Sequence, residues 1–270
     1  MNVRRVLAAS AAALLLTPLA ASAALAAPPD NDTVAGATAV TLGQTINQDA
    51  SEATTDALDA SLNANCGAPA TNGSVWFSYQ DTTGAGLLVD LTASSYSTGA
   101  MIVAGDPSSG GQLVACGPGS VATRGDGSPT TYYVMAFSDT PGVTGGALSA
   151  SFEELPPAPT AELTVDSWAT AYRDGSMRLT GTYTCANADY DAFIDGSVTQ
   201  TVGRTKIEGY FFVYPLECDG QVHPWEAVAT SSNGLFAGGK AASVSFAIAC
   251  GLADCAGTVV EQTIQVRRSR

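Results

Sequence analysis

The sequence predicts an all-β protein: two tandem β-sandwich domains, the first jelly-roll-like and the second immunoglobulin-like, behind a cleaved signal peptide. Three observations carry this. Apolar residues recur with a period of two along most of the chain, with Gly, Pro, Asn and Asp between the runs. That is the pattern of half-buried strands joined by turns. The stretch Pro156-Pro157-Ala158-Pro159 divides the chain, and all six cysteines lie downstream of an N-terminal segment of export type.

That segment comes first in the chain. Arg4 and Arg5 form a basic start, Val6 to Leu16 supply a short apolar core, and Ala21-Ser22-Ala23 and Ala24-Leu25-Ala26 offer small-x-small cleavage sites. The layout is that of a secretory signal peptide over residues 1–26, too short for a spanning helix. No later run has the 18 or so apolar residues of a membrane span, and no wall-sorting or lipid-attachment signal is present. The mature protein is therefore expected to be secreted, extracellular and monomeric, with no membrane span.

Within residues 27–155, Val75, Phe77 and Tyr79 alternate with Trp76, Ser78 and Gln80, and Leu87, Val89 and Leu91 alternate with Leu88, Asp90 and Thr92. Further runs cover Ala100 to Ala104, Gln112 to Cys116, Thr131 to Phe137 and Ala147 to Phe152. Strand-sized runs at this spacing suggest a sandwich. Asp49 to Asn63 is the only stretch with any helical character, and a loop is expected there.

The linker at 156–159 should be extended, because each proline fixes φ and removes a donor. Charge changes at the same point. Residues 27–155 hold 13 acids and one base, Arg124, whereas residues 160–270 hold 12 acids and 8 bases. Over the whole chain only 13% of residues are charged, and the net charge is −14. A typical soluble protein has about 25% charged residues. An acidic surface repels phosphates, so no nucleic acid partner is expected.

Residues 160–270 alternate more sharply. Met177, Leu179, Tyr183 and Cys185 point one way and Arg178, Thr180, Thr182 and Thr184 the other; Val244, Phe246, Ile248 and Cys250 oppose Ser243, Ser245, Ala247 and Ala249. With Leu163 to Trp168, Phe193 to Thr201, Lys206 to Tyr214, Glu226 to Thr230 and Val259 to Val266, these runs give the strand count of an immunoglobulin-like sandwich.

Exported cysteines pair. Two fall in the first domain, so Cys66 should join Cys116. Among the other four, Cys185–Cys218 with Cys250–Cys255 is favoured, the latter pinning a turn around Gly251-Leu252-Ala253-Asp254. The competing arrangement is an inter-sheet Cys185–Cys250 bridge, which leaves Cys218 for Cys255.

No reaction chemistry is legible. His223 is the only histidine, within Gln221-Val222-His223-Pro224-Trp225, and no G-x-S-x-G or H-E-x-x-H accompanies it. Acyl transfer of the Ser-His-Asp or Cys-His kind needs a histidine at the nucleophile. No C-x-x-C occurs either, so no catalytic residue, metal ligand or cofactor is expected. The N-x-D-x-D run Asn187, Asp189, Asp191 continues with Ala192 and Val198 where an EF-hand loop needs Gly and Glu. Asp30-Asn31-Asp32 and Asp126 are further calcium candidates. Arg124-Gly125-Asp126 spells an adhesion tripeptide within ordinary turn material. Exposed aromatics could serve as a ligand platform, with Trp225, Tyr210 and Tyr214 as candidate ligand-binding residues, although core packing would also use such rings.

Two resemblances add to this reading. Asn31-Asp32, Ser74-Val75-Trp76-Phe77-Ser78-Tyr79, Gly86-Leu87-Leu88-Val89-Asp90-Leu91, Leu113-Val114-Ala115-Cys116 and Thr131-Tyr132-Tyr133-Val134 occur in order. Residues 28–154 thereby resemble the bacterial pre-peptidase C-terminal type of β-sandwich, which implies a non-catalytic appendage. Leu179-Thr180-Gly181-Thr182-Tyr183-Thr184-Cys185, with Cys218-Asp219-Gly220, His223 and Trp225, is similar to an uncharacterised domain of secreted actinobacterial proteins. That likeness also favours Cys185–Cys218 and implies no activity. The expectation is a non-enzymatic binding or adhesion-type module for an extracellular polymer or protein. The alternatives are a carbohydrate-binding or Ca²⁺-assisted module, or an inhibitor of secreted hydrolases acting through the Cys250 to Cys255 loop.

Overall fold

The computed structural model describes residues 27–67 and 72–269. The signal-peptide assignment at 1–26 lies outside the described residues. The N-terminal half comprises β1 (Thr38–Val40), β2 (Gln44–Asp49), α1 (Ala57–Cys66), β3 (Asn72–Asp81), β4 (Gly86–Asp90), β5 (Thr98–Ala104), β6 (Gln112–Pro118), β7 (Ser120–Arg124), β8 (Thr130–Ser138) and β9 (Ala147–Glu153). The C-terminal half comprises β10 (Thr160–Leu163), β11 (Trp168–Ala171), β12 (Met177–Ala186), β13 (Asp191–Val202), β14 (Thr205–Val213), β15 (Asp219–Ser231), β16 (Gly239–Cys250) and β17 (Cys255–Arg268). The fold is all-β, as the periodicity predicts.

In the N-terminal half a five-stranded sheet, β1-β3-β8-β5-β6, faces a four-stranded one, β2-β9-β4-β7. Val75, Phe77, Leu87, Val89, Ile102, Val134 and Phe152 are buried between the sheets, with Phe77 edge-on to Phe152 at 5.2 Å. The other face of β3 and β5 is also buried. Trp76, Met101, Met135 and Phe137 cluster there with Leu62 of α1.

Helix α1 corrects the expected loop at 49–63. Asp56 caps it, accepting from Leu58 N and Asp59 N at 2.7 and 3.0 Å, while the Asp59 side chain accepts from Asp56 N at 2.9 Å. This reciprocal box satisfies donors that a helix start otherwise leaves open. The buried Asp59 carboxylate also accepts from Ser74 Oγ at 2.6 Å and Trp76 Nε1 at 3.1 Å, which fixes the helix to β3. Burial pushes the Asp59 carboxyl above its usual range, with these hydrogen bonds opposing the shift. Ten residues are too few for a stable isolated helix; this one depends on the contacts beneath it and on the Cys66–Cys116 bridge to β6.

Asp81 organises the β3–β4 turn. Its carboxylate accepts from Thr83 N, Thr83 Oγ1, Gly84 N and Gly86 N at 2.7–2.9 Å. Burial alone would raise its pKa, but the donors outweigh burial and hold the carboxyl below its ordinary 3.8. A carboxyl depressed in the folded state contributes stability above its unfolded value, and that stability is lost as pH falls through the folded value. Asp81→Ala is therefore expected to cost about 2 kcal/mol near pH 7 and to flatten the acid limb of stability below about pH 4. Urea unfolding of both forms between pH 2 and 7 checks this; parallel acid limbs would contradict it.

The C-terminal half winds into one eight-stranded sheet, β10-β12-β11-β17-β16-β13-β14-β15, closed by pairing of β12 with β15. The first run departs from expectation: residues 164–167 break it, so β10 and β11 are separate strands. β10 pairs antiparallel with the end of β12, and β11 pairs parallel with β17, the exchange of a first strand between two sandwich faces. β14 and β15 share only two register pairs, Gly209–Ser231 and Tyr210–Thr230, so that edge acts as a corner. The core includes Leu179, Ile194, Val198, Phe211, Trp225 and Ile264. Phe211 and Trp225 stack at 5.8 Å and 10°. Gly196 and Gly181 make room for them: an added Cβ would lie 2.3 Å from the Phe211 ring at Gly196, and 2.6 Å from Trp225 Nε1 at Gly181.

Strand pairing is confined to each half. Arg124 ties the halves together: its Nε donates to Asp254 Oδ2 of the C-terminal half and its Nη2 donates to Pro156 O of the linker at 3.1 Å. The only base among residues 27–155 is thus engaged in this contact, and the Arg-Gly-Asp run does not present a free arginine.

Candidate functional site

The alternating strands of the C-terminal half turn an unusual set of side chains to solvent. On β16 the small residues Ser243, Ser245, Ala247 and Ala249 are buried, whereas Val244, Phe246 and Ile248 lie on the outer face. The inner space beneath β16 is shared with the Phe211–Trp225 stack, Ile194 and Val198, so small side chains suffice there. Ser243 and Ser245, both buried, bond each other at 3.2 Å.

Register extends the outer set across four strands. Phe212 lies opposite Asp195, Asp195 opposite Phe246, and Phe246 opposite Val259. One row further along, Tyr210 faces Ser197, then Val244, then Glu261. On the other side of the Asp195 row, Phe193 pairs with Ile248, and Tyr214 directly follows β14. Tyr210, Phe212 and Tyr214 are 67%, 58% and 60% exposed. Phe212 contacts Tyr214 at 6.2 Å and Phe193 at 5.5 Å. The result is a largely aromatic surface on β13, β14, β16 and β17, with Asp195 near its middle and Glu261 at the β17 end of the Tyr210 row.

The three residues that the sequence singles out therefore separate. Tyr210 and Tyr214 lie on this face. Trp225 does not: it is 3% exposed, and its Nε1 donates to Thr164 O at 2.9 Å. Its place in the core removes it from any surface platform. Phe193, Val244, Phe246, Ile248 and Val259 join the face without having been singled out. For the three on β16 the signal in the sequence is the alternation at 243–250, which separates two sets but does not say which set is inside.

Several of the remaining candidates have structural partners. Asn31 is buried, donating to Trp76 O and exchanging bonds with Gln48, and Asp32 accepts from Thr54 N and Oγ1 at 2.6 Å. Asp126 accepts from Ser128 N, and Asn187 Nδ2 donates to Ala158 O. Among the described residues, no group of three or more His, Cys, Asp or Glu is placed to hold a metal. His223 Nε2 lies 2.8 Å from Asp219 Oδ1, with the ring stacked on Tyr183 at 5.5 Å. The hydrogen bond with His223 is the main reason the Asp219 carboxyl is held below its usual range. The cysteines pair as Cys66–Cys116, Cys185–Cys218 and Cys250–Cys255, the favoured arrangement. No helix among the described residues is long and apolar enough to cross a membrane.

Residues 159–261, the bulk of the C-terminal half, match DUF6299, a family of unknown function. Curated proteins give no match. Among solved structures, the chain is similar at 10% identity to a GH2 β-galacturonidase from Eisenbergiella tayi bound to glycerol, covering 71% of this chain and 35% of that one with a TM-score of 0.22. It is also similar at 10% identity to a β-glucuronidase from Parabacteroides merdae, covering 74% and 29% with a TM-score of 0.24. A calcium-binding mutant of Bacteroides uniformis β-glucuronidase 2 is 11% identical, covering 82% and 33% with a TM-score of 0.23. The chain spans about a third of the length of these enzymes. At such TM-scores they carry no argument about its activity.

Proposed function

We propose that this chain is a secreted, non-catalytic module of two β-sandwich domains that binds an extracellular polymer or protein through the aromatic face of its C-terminal half. The face itself carries the reading. A contiguous apolar surface of this kind marks an interaction site more often than chance, and aromatic anchors dominate binding energy where they occur. Export follows from the signal-type segment, and three disulfides suit an oxidising compartment. The N-terminal half is read as a pre-peptidase C-terminal-type sandwich, an appendage without chemistry of its own. His223, tied to Asp219 and packed on Tyr183, supports the absence of a nucleophile–base pair. Asp195, set between Phe212 and Phe246, favours a polysaccharide as the polymer, because a carboxylate accepts from sugar hydroxyls while rings pack against the sugar's C–H faces.

Co-sedimentation of the whole chain with the producer's cell-wall fraction and with insoluble polysaccharides tests the reading. Binding is expected to weaken at least tenfold in Phe212→Ala and in Tyr214→Ala, with unfolding changed by no more than roughly 1 kcal/mol because both rings are exposed. A chelator is expected to leave binding unchanged. Binding untouched by both substitutions, or turnover of ester, peptide or glycoside substrates that His223→Ala abolishes, would contradict it.

A further inference from the structure

The C-terminal half collects its positive charge at one end. The registers bring Ala171 opposite both Met177 and Arg268, Lys240 opposite Gln265, and Val202 opposite Thr205. The β11–β12 and β13–β14 turns, the start of β16 and the end of β17 therefore share one tip. Arg124 of the N-terminal half binds Asp254 at the opposite end, in the turn between β16 and β17, so this tip points away from that contact.

Two bases at the tip are neutralised locally: Arg178 Nη2 by Glu226 Oε2 and Lys206 Nζ by Glu208 Oε1, each at 2.6 Å. Among the described residues, Arg173, Arg204, Lys240, Arg267 and Arg268 make no ion pair. The one other acid in these turns, Asp174, is turned into its own loop, accepting from Ser176 N and Oγ at 2.9 and 2.7 Å. Arg267 instead lies over the exposed Trp168 ring, 3.6 Å from its centroid. In a chain of net charge −14, five bases without carboxylate partners at one end form a local positive field.

A cleft of about 370 Å³ opens at this tip, with Tyr172, Arg173, Leu235, Phe236 and Arg268 among its walls. That volume lies in the range of small-ligand sites, roughly 300–1,000 Å³. Guanidinium groups match the planar geometry of a carboxylate. The Tyr172 ring and the exposed Leu235 add the apolar contact that a sugar ring uses and a bare anion does not. We propose that this cleft binds an acidic sugar, its carboxylate held by Arg173 and Arg268 and its ring against Tyr172 and Leu235.

The site is independent of the aromatic face and can be tested apart from it. Titration calorimetry of the whole chain would use an oligosaccharide bearing carboxylates, its neutral counterpart and inorganic phosphate. The carboxylated oligomer is expected to bind, with affinity falling at least tenfold in 0.5 M salt and at least tenfold in Arg173→Ala/Arg268→Ala, whose unfolding matches wild type. Phe212→Ala should bind it as wild type does. The inference is overturned if the carboxylated oligomer gives no heat, if the neutral oligomer or phosphate binds equally well, or if the double variant keeps wild-type affinity. Loss of binding in Phe212→Ala would overturn it too, by moving the ligand to the aromatic face.

Discussion

Trp225→Ala is expected to lower the unfolding free energy by about 3–5 kcal/mol, the usual cost of deleting a core aromatic. The indole is buried, stacked on Phe211, and bonded to the Thr164 carbonyl in the break between β10 and β11. Truncation would open a cavity between the two faces of the C-terminal sandwich. It would also strand a carbonyl at the point where the first strand changes sides. The chain around it is tightly fitted, since Gly181 leaves no space for even a methyl group beside the ring, so collapse into the cavity is hindered. Urea unfolding followed by far-UV circular dichroism measures the loss. A change below about 1 kcal/mol would show that the ring is a surface group after all.

Removing the Cys66–Cys116 bridge, as Cys66→Ser/Cys116→Ser, should cost roughly 4 kcal/mol for its loop of 50 residues. The bridge joins the last residue of α1 to the edge strand β6. Without it the ten-residue helix is held by the Asp59 bonds to Ser74 and Trp76 and by Leu62 packing. Local consequences should therefore accompany the global loss. Amides of α1 are expected to exchange faster by at least a hundredfold while those of β13 and β16 are unchanged. Equal acceleration in both halves would contradict the confinement of this bridge to the N-terminal half.

Much of the fold is legible in the sequence because strand alternation is a local signal. Met177 to Cys185 show their faces directly. The short strands β1, β2 and β7 escape notice because three to six residues, mostly polar or small, carry too little pattern. Helix α1 escapes for another reason. Its apolar stripe is only Leu58 and Leu62, and its cap uses Asp56 and Asp59 where the familiar signature has Ser or Thr followed by Glu or Gln. Its stability comes from partners distant in sequence, Ser74, Trp76 and Cys116.

The candidate site is half legible. Tyr210 and Tyr214 stand out as one strand face, and that face is the exposed one. Trp225 looks equally suited to a platform, yet its fate depends on Phe211 and on two glycines that permit close approach. The orientation of β16 is the clearest limit of local reading. Val244, Phe246 and Ile248 form the more apolar set, but the facing sheet already fills the interior with aromatic rings. Only cross-strand register reveals that this set joins Phe193, Phe212 and Val259 on the outside.

Hydroxyl-radical footprinting of the whole chain, alone and with the cell-wall fraction, tests the outward aromatic surface as the place of binding. Tyr210, Phe212 and Tyr214 should be labelled rapidly in the free protein while Trp225 and Phe211 are spared, and the added fraction should protect the first three. Rapid labelling of Trp225, or protection that leaves Phe212 and Tyr214 as reactive as before, would contradict it.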